Sequence, residues 1–353
     1  MLLWDQIEPP FEKGGQGGFG FDTASAGDQS HVEDMEDFVR EFLFGKSGIV
    51  RDEGGVRSEI AMDLRTEGWI GIPHGGISMG AIADLFESLH EARGSRGLPY
   101  PVAMNIRMGG SRLRTGETVH VAVAPEGEGA KGIVSVRGSG MPYLEADITK
   151  GPVPEAPGAH PCLPSSFDRL EGSLSALPFY RNCFVCGIDR SHPGLKRKFQ
   201  LFEAARQNRV VVSCAGFEAE DRQTVHRFER GGRVHPVVLM ALVDETMGWA
   251  GFMNYASGGV TVRLSATLHR DIGVDEKLVV FGRGEKSRGT GSRMLFWASG
   301  GIAVVGKGGA FETVMTASGQ FLGVPALTEQ MRTELIPQEL TRRAFGIAES
   351  GLP

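Results

Sequence analysis

The first periodic pattern runs from Val32 to Phe44, where Val32, Met35, Phe38, Val39 and Phe42 recur at helical spacing with an acidic face opposite. Before it, residues 1–30 carry glycines and no periodicity, so they read as an irregular arm. Extended segments follow, Val56 to Leu64 being the clearest. The glycine-rich turn Ile72-Pro73-His74-Gly75-Gly76 then opens a helical run to Arg93, with Ile77, Ala81, Leu85 and Leu89 on one stripe. Four short runs, at 102–108, 117–124, 132–137 and 143–149, are each bounded by Gly, Pro or charged residues and read as strands. Residues 151–182 contain Pro152, Pro154, Pro157, Pro161, Pro164 and Pro178; these interrupt strand and helix alike, so the segment reads as a linker.

The order then repeats. Strands at 195–202 and 209–215 precede a turn at Gly231 to His235. A helix from Val237 to about Asn254 follows, with Leu239, Leu242, Val243 and Met247 along it. Four strands, at 259–268, 277–282, 292–298 and 310–322, complete the second half, and residues 326–353 read as a polar helical tail. His74 and His235 lie 161 apart; Val102 to Ile106 matches Val260 to Leu264 at 158, and Gly116-Glu117 matches Asp275-Glu276 at 159. Three nearly constant offsets define an internal repeat. One helix followed by antiparallel strands predicts an α+β unit in which a sheet wraps around the helix. A solitary unit would leave a sheet edge unpaired, so two units in one chain are expected to join edge to edge.

At 353 residues the chain exceeds one ordinary core, which agrees with two domains. With 37 basic against 43 acidic residues and no basic run, nothing attracts nucleic acid. No apolar stretch approaches the roughly 20 residues of a membrane span, and the N-terminus lacks the charged and apolar regions of a signal peptide, so a cytoplasmic location is expected. Four cysteines make no disulfide framework. Cys183 and Cys186 form half of a zinc ribbon, but no second CxxC stands at zinc-finger spacing, so a turn with buried thiols is favoured and neither metal nor cofactor is expected.

His74-Gly75-Gly76 opening an apolar helix resembles the hotdog-fold acyl-CoA thioesterases of the phenylacetyl-CoA type. The run from Cys183 through Gly187 to His192-Pro193-Gly194-Leu195 and the helix start Val234 to Met247 share the resemblance. It covers about 47–150 and 180–323. It implies two tandem hotdog domains forming an intrachain pseudo-dimer: an arm and short helix (1–46), a first domain (47–150), the linker (151–182), a second domain (183–324) and the tail (325–353). It also implies hydrolysis of an acyl-CoA or acyl-carrier thioester, and leaves room for a homodimer of pseudo-dimers.

In such a site, N–H groups at a glycine-rich helix start stabilise an oxyanion. A carboxylate on the other domain's helix, nine residues beyond that domain's turn histidine, serves as general base or nucleophile, and a strand hydroxyl orients the water. Carried over, Gly75 and Gly76 supply the helix start and His74 the substrate-facing turn. The acid position holds Ala83 in the first half but Asp244 in the second; the hydroxyl position holds Ala103 in the first and Thr261 in the second. The second half's own turn has Pro236, which has no N–H. One complete site is therefore expected, joining Gly75, Gly76 and His74 to Asp244 and Thr261. Asp84, one place late, is expected to point away from it, and the asparagine six residues before the histidine is replaced by Gly68. The histidines are read as turn-stabilising hydrogen-bonders rather than catalysts. Two alternatives remain: an acyl-CoA-binding protein without hydrolysis, and a hotdog dehydratase or hydratase.

Overall fold

The computed structural model describes residues 31–91, 97–139, 141–152, 160–171, 174–177, 180–203, 209–290 and 293–335. The expected arm at 1–30 and most of the expected tail lie outside them. Helix α1 spans His31–Phe44. In the first half, strands β1 (Val50–Asp52), β2 (Gly55–Met62), β3 (Glu67–Trp69) and β4 (Ile72–Pro73) lead into α2 (Gly75–Glu91). Strands β5 (Val102–Met108), β6 (Glu117–Glu126), β7 (Gly129–Val136) and β8 (Pro142–Lys150) follow.

The connecting segment does more than cross the surface. It carries a short helix α3 (Phe167–Glu171) and an edge strand β9 (Leu174–Ala176). The second half has β10 (Gln200–Glu203), β11 (Arg209–Ala215), β12 (Glu229–Arg230), β13 (Arg233–Val234), α4 (Pro236–Tyr255), β14 (Gly259–Leu268), β15 (Leu278–Arg288), β16 (Leu295–Val305) and β17 (Phe311–Gly323). Helix α5 (Pro325–Gln330) continues into one wider turn to Leu335. The strand expected over 195–202 is regular only from Gln200; residues 195–199 hold Leu195 and Phe199 buried without a ladder.

Thirteen strands form one antiparallel sheet in the order β1-β2-β6-β7-β8-β5-β14-β17-β16-β15-β11-β10-β9. Counted outward from the centre the inner ten strands correspond: β5, β8, β7, β6 and β2 occupy the places of β14, β17, β16, β15 and β11. The halves meet where β5 pairs with β14, from Val102↔Leu268 to Arg107↔Arg263. The edge that each half would otherwise expose is thus paired with the other half. This is the tandem hotdog architecture, with both long helices enclosed by one sheet.

Why the helices approach so closely is written in small residues. A Cβ at Gly76 would overlap Cα of Ala241, and one at Gly80 would overlap Cα of Val237. The backbones of α2 and α4 therefore touch near their N-termini, and nearly every residue of α4 from Pro236 to Met253 is buried. A second, smaller core lies on the outer face of β11 and β15. There Cys162, Leu163 and Leu170 of the connecting segment cover Val210, Val212, Val279 and Phe281. Both faces of these strands are covered, which is why they read as continuous apolar runs rather than alternating ones.

Candidate active site

Two turns, each leading into a buried helix, build the site and its counterpart. His74 and His235 precede the first residues of α2 and α4, and each caps its own helix. The Gly76 N–H donates to Nδ1 of His74 at 3.0 Å, and the Val237 N–H to Nδ1 of His235 at 3.1 Å. With Nδ1 accepting, the ring proton sits on Nε2 and faces an acid on the other helix. Nε2 of His74 lies 3.3 Å from Glu245, and Nε2 of His235 lies 3.3 Å from Asp84. Both acids stand ten residues beyond their own domain's histidine, so the device is duplicated along with the fold.

Position nine is where the halves part. In the second half it is Asp244, only 8% exposed; its Oδ1 accepts from the Thr261 hydroxyl at 2.6 Å, and its Oδ2 lies 3.8 Å from Nδ1 of His74. A Cβ built on Gly75 would stand 3.2 Å from the same Oδ2, so a larger residue would crowd the carboxylate. Gly75, His74, Asp244 and Thr261 line one cavity of about 170 Å³, with Trp69, Met108, Tyr143, Trp249, Phe321 and Met331 among its walls.

Gly76 is not on this wall. Its N–H is taken by His74 and its Cα face by Ala241. Among the described residues, the Gly75 N–H has no protein acceptor, leaving it as the donor at the positive end of α2. At Gly68 a Cβ would come within 2.7 Å of Cα of His74. The asparagine of the family pattern has no room there.

The opposite side is closed by charge. Ala83 is buried where the acid would be, Pro236 starts the helix, and Arg230 pairs with both Asp84 and Glu87. Burial alone would raise the Asp84 carboxyl, but the His235 hydrogen bond and the Arg230 charge hold it well below the ordinary carboxylate range. Asp84 faces this ion cluster rather than the cavity.

On the Asp244 side, burial pushes this carboxyl above its ordinary value; His74 and the Thr261 hydrogen bond pull it back, and Glu245 pushes it up again. Burial would raise Glu245 too, yet the hydrogen bond from His74 keeps it below normal. Burial disfavours charge on His74, while Glu245, Cys183 and Asp244 together raise it to about 9. A proton on Nδ1 would break the cap from Gly76, however. The 3.0 Å contact uses that lone pair, so charging the ring costs the helix this cap.

Glu245, next to Asp244, is not among the residues that the sequence assigns to the site. Its carboxylate accepts from His74, from Nε1 of Trp249 at 3.1 Å and from Sγ of Cys183 at 3.6 Å. The recurrence of an acid at position ten in both halves was the available signal. Cys183 and Cys186 lie buried in a turn where Sγ of Cys183 accepts the N–H groups of Val185 and Cys186 at 3.3 and 3.4 Å. His74, Cys183 and Glu245 place donor atoms within 4.8 Å of one another, the spacing a metal could use. With Nε2 of His74 carrying the proton, the cluster is satisfied by hydrogen bonds alone.

No protein-family model matches the sequence, and no curated protein does. Solved structures do resemble it in fold. A tesB protein from Mycobacterium avium subspecies paratuberculosis is similar at 12% identity with a TM-score of 0.48, over 83% of this chain and all of that one. An acyl-CoA thioesterase II from Mycobacterium marinum is similar at 14% identity and a TM-score of 0.42, over 82% of this chain and 96% of that one. A dehydratase domain from Mycobacterium tuberculosis, solved with a C12:1-CoA, is similar at 14% identity and a TM-score of 0.43, over 78% of this chain and 97% of that one.

Proposed function

We propose that this chain is a thioesterase, hydrolysing an acyl thioester of CoA or of a carrier at a single composite site between its two halves. The observation that carries the reading is the meeting of Asp244, bonded to Thr261, with the free N–H of Gly75 across the α2–α4 interface. A carboxylate buried among apolar walls is unfavourable without a task.

In the proposed step, Asp244 takes a proton from water as the water oxygen attacks the thioester carbonyl carbon. The carbonyl oxygen becomes an oxyanion, held by the Gly75 N–H and the N-terminal end of α2. Thr261 donates to Oδ1, so Oδ2, which lies beside Gly75, is the oxygen left to accept the proton. Collapse of the intermediate breaks the carbon–sulfur bond. The thiolate leaves and takes the proton from Asp244, which returns to its carboxylate form, giving a carboxylic acid and a free thiol. Glu245 stays outside this step; it holds His74, and His74 holds the first turn of α2.

The histidine arrangement disfavours dehydratase chemistry. That reaction needs a basic imidazole nitrogen, and here Nδ1 caps the helix while Nε2 donates to Glu245. Binding without hydrolysis is the second reading, motivated by the closed site at Asp84. A hydrolysis screen over short, long and aromatic acyl-CoAs, run beside Asp244→Asn, separates the two. Turnover that is lost in the variant supports a thioesterase; saturable acyl-CoA binding with no turnover in either protein supports the binding reading.

A further inference from the structure

The seam between the halves carries a charge asymmetry that follows the asymmetry of the site. Strands β5 and β14 cross the repeat axis at Ile106↔Leu264, two residues that are also equivalent at the 158-residue offset. On one side of this pair stands Arg107↔Arg263; on the other stands Asn105↔Ser265. At the same offset Asn105 is the counterpart of Arg263, and Ser265 that of Arg107. Arginine faces arginine on one side only, then, and two neutral residues occupy the related place.

The arginine side is the side of the complete site. Arg107↔Arg263 is the last pair of the β5–β14 ladder; beyond it, Met108 on one strand and, past Val262, Thr261 and Val260 on the other line the cavity. An irregularity between Thr261 and Arg263 reverses the facing of the strand, so Thr261 reaches inward to Asp244 while Arg263 is exposed. Both arginines therefore stand exposed where the β5–β14 ladder ends, beside residues that line the cavity. Like charges directly opposite on neighbouring strands are unfavourable. Glu145 answers one of them through its ion pair with Arg107. Among the described residues Arg263 has no acceptor.

We propose that Arg263, assisted by Arg107, binds a phosphate on the arm that carries the thioester. The proposal rests on the thioesterase reading for the identity of the arm. A planar guanidinium suits phosphate oxygens in a bidentate contact. The contact is made equally in ground and transition states, so it acts on KM more than on kcat. Two sources offer this chemistry: the phosphates of CoA, and the single phosphate of a carrier protein's phosphopantetheine.

One acyl group presented on CoA, on 4′-phosphopantetheine and on pantetheine tests the idea in wild type, Arg263→Ala and Arg107→Ala. In wild type, kcat/KM is expected to be about tenfold higher for a phosphorylated arm, and the ratio to pantetheine should collapse in Arg263→Ala through KM. A gain already complete with phosphopantetheine points to the phosphate shared with a carrier; a gain only with CoA points to the nucleotide phosphates. Equal kcat/KM for all three esters, or a ratio that Arg263→Ala leaves intact, overturns the proposal. Should no ester be hydrolysed, calorimetric titration with CoA still reads the site. Weaker CoA binding in Arg263→Ala then supports it and equal binding refutes it, separately from the fate of the thioesterase reading.

Discussion

Asp244 and Asp84 are the same residue type on neighbouring helices, and their surroundings give them opposite tasks. Asp244 is raised by burial and exposed to the cavity, so it is expected to limit activity on the acid side. The base works only when ionised, and kcat/KM should fall as pH drops through a value above the ordinary carboxylate range. A pH–rate profile with its acid limb at or below that range would contradict this. Asp244→Asn is expected to cut turnover by at least about a hundredfold with folding intact, and Thr261→Ala by less, because water can replace a hydroxyl in part. Asp84 is depressed, so its sign is reversed. Its contribution to stability is present above the ordinary carboxylate range and lost as pH falls below it toward the folded value. Asp84→Asn removes one partner of a buried ion pair with Arg230, and a loss of roughly 3–5 kcal/mol in denaturant unfolding is expected. The resemblance led to Asp244 through its offset of nine from the turn histidine. It passed over Glu245, because an acid beside an acid looks like an exposed face until the partner helix supplies His74.

At the level of elements, the contact between α2 and α4 sets the distance from Gly75 to Asp244. Gly76 and Gly80 allow it by lacking a Cβ where Ala241 and Val237 press against them. Gly76→Val is expected to push the helices apart and to cost about 1–3 kcal/mol by overpacking. Urea unfolding should show a lower midpoint at an unchanged slope; an unshifted midpoint would mean that the helices do not depend on this approach. The turn His74-Gly75-Gly76 was legible as a helix start, but the division of labour within it was not. One N–H is spent on a cap and the other is left free, and that depends on where the histidine ring turns.

For the molecule as a whole, one sheet running through both halves is expected to make them unfold as a single unit. Separated, residues 47–150 would expose the β5 edge and the α4-facing side of α2. They are expected to associate or aggregate rather than persist as a folded monomer, which sedimentation would measure. A stable, folded monomer of this fragment would show that the halves are independent. Among the described residues no helix is long and apolar enough to cross a membrane.

Local and periodic features were determined by the sequence itself: strand alternation, the two apolar helices, the proline-rich crossing and the repeat offsets, because each depends on residues close in the chain. The resemblance, laid on these offsets, implied that the halves differ at position nine and that their losses are complementary. Tertiary structure alone decided what lies across the interface. Glu245 meets His74 over a separation of 171 residues and Arg230 meets Asp84 over 146, and no local propensity encodes such a meeting. The short helix between the prolines packs on the apolar outer faces of β11 and β15, and the edge strand pairs with β10. The facing of Arg263 likewise depends on one irregularity in strand pairing, which shifts side chains from one face of a sheet to the other.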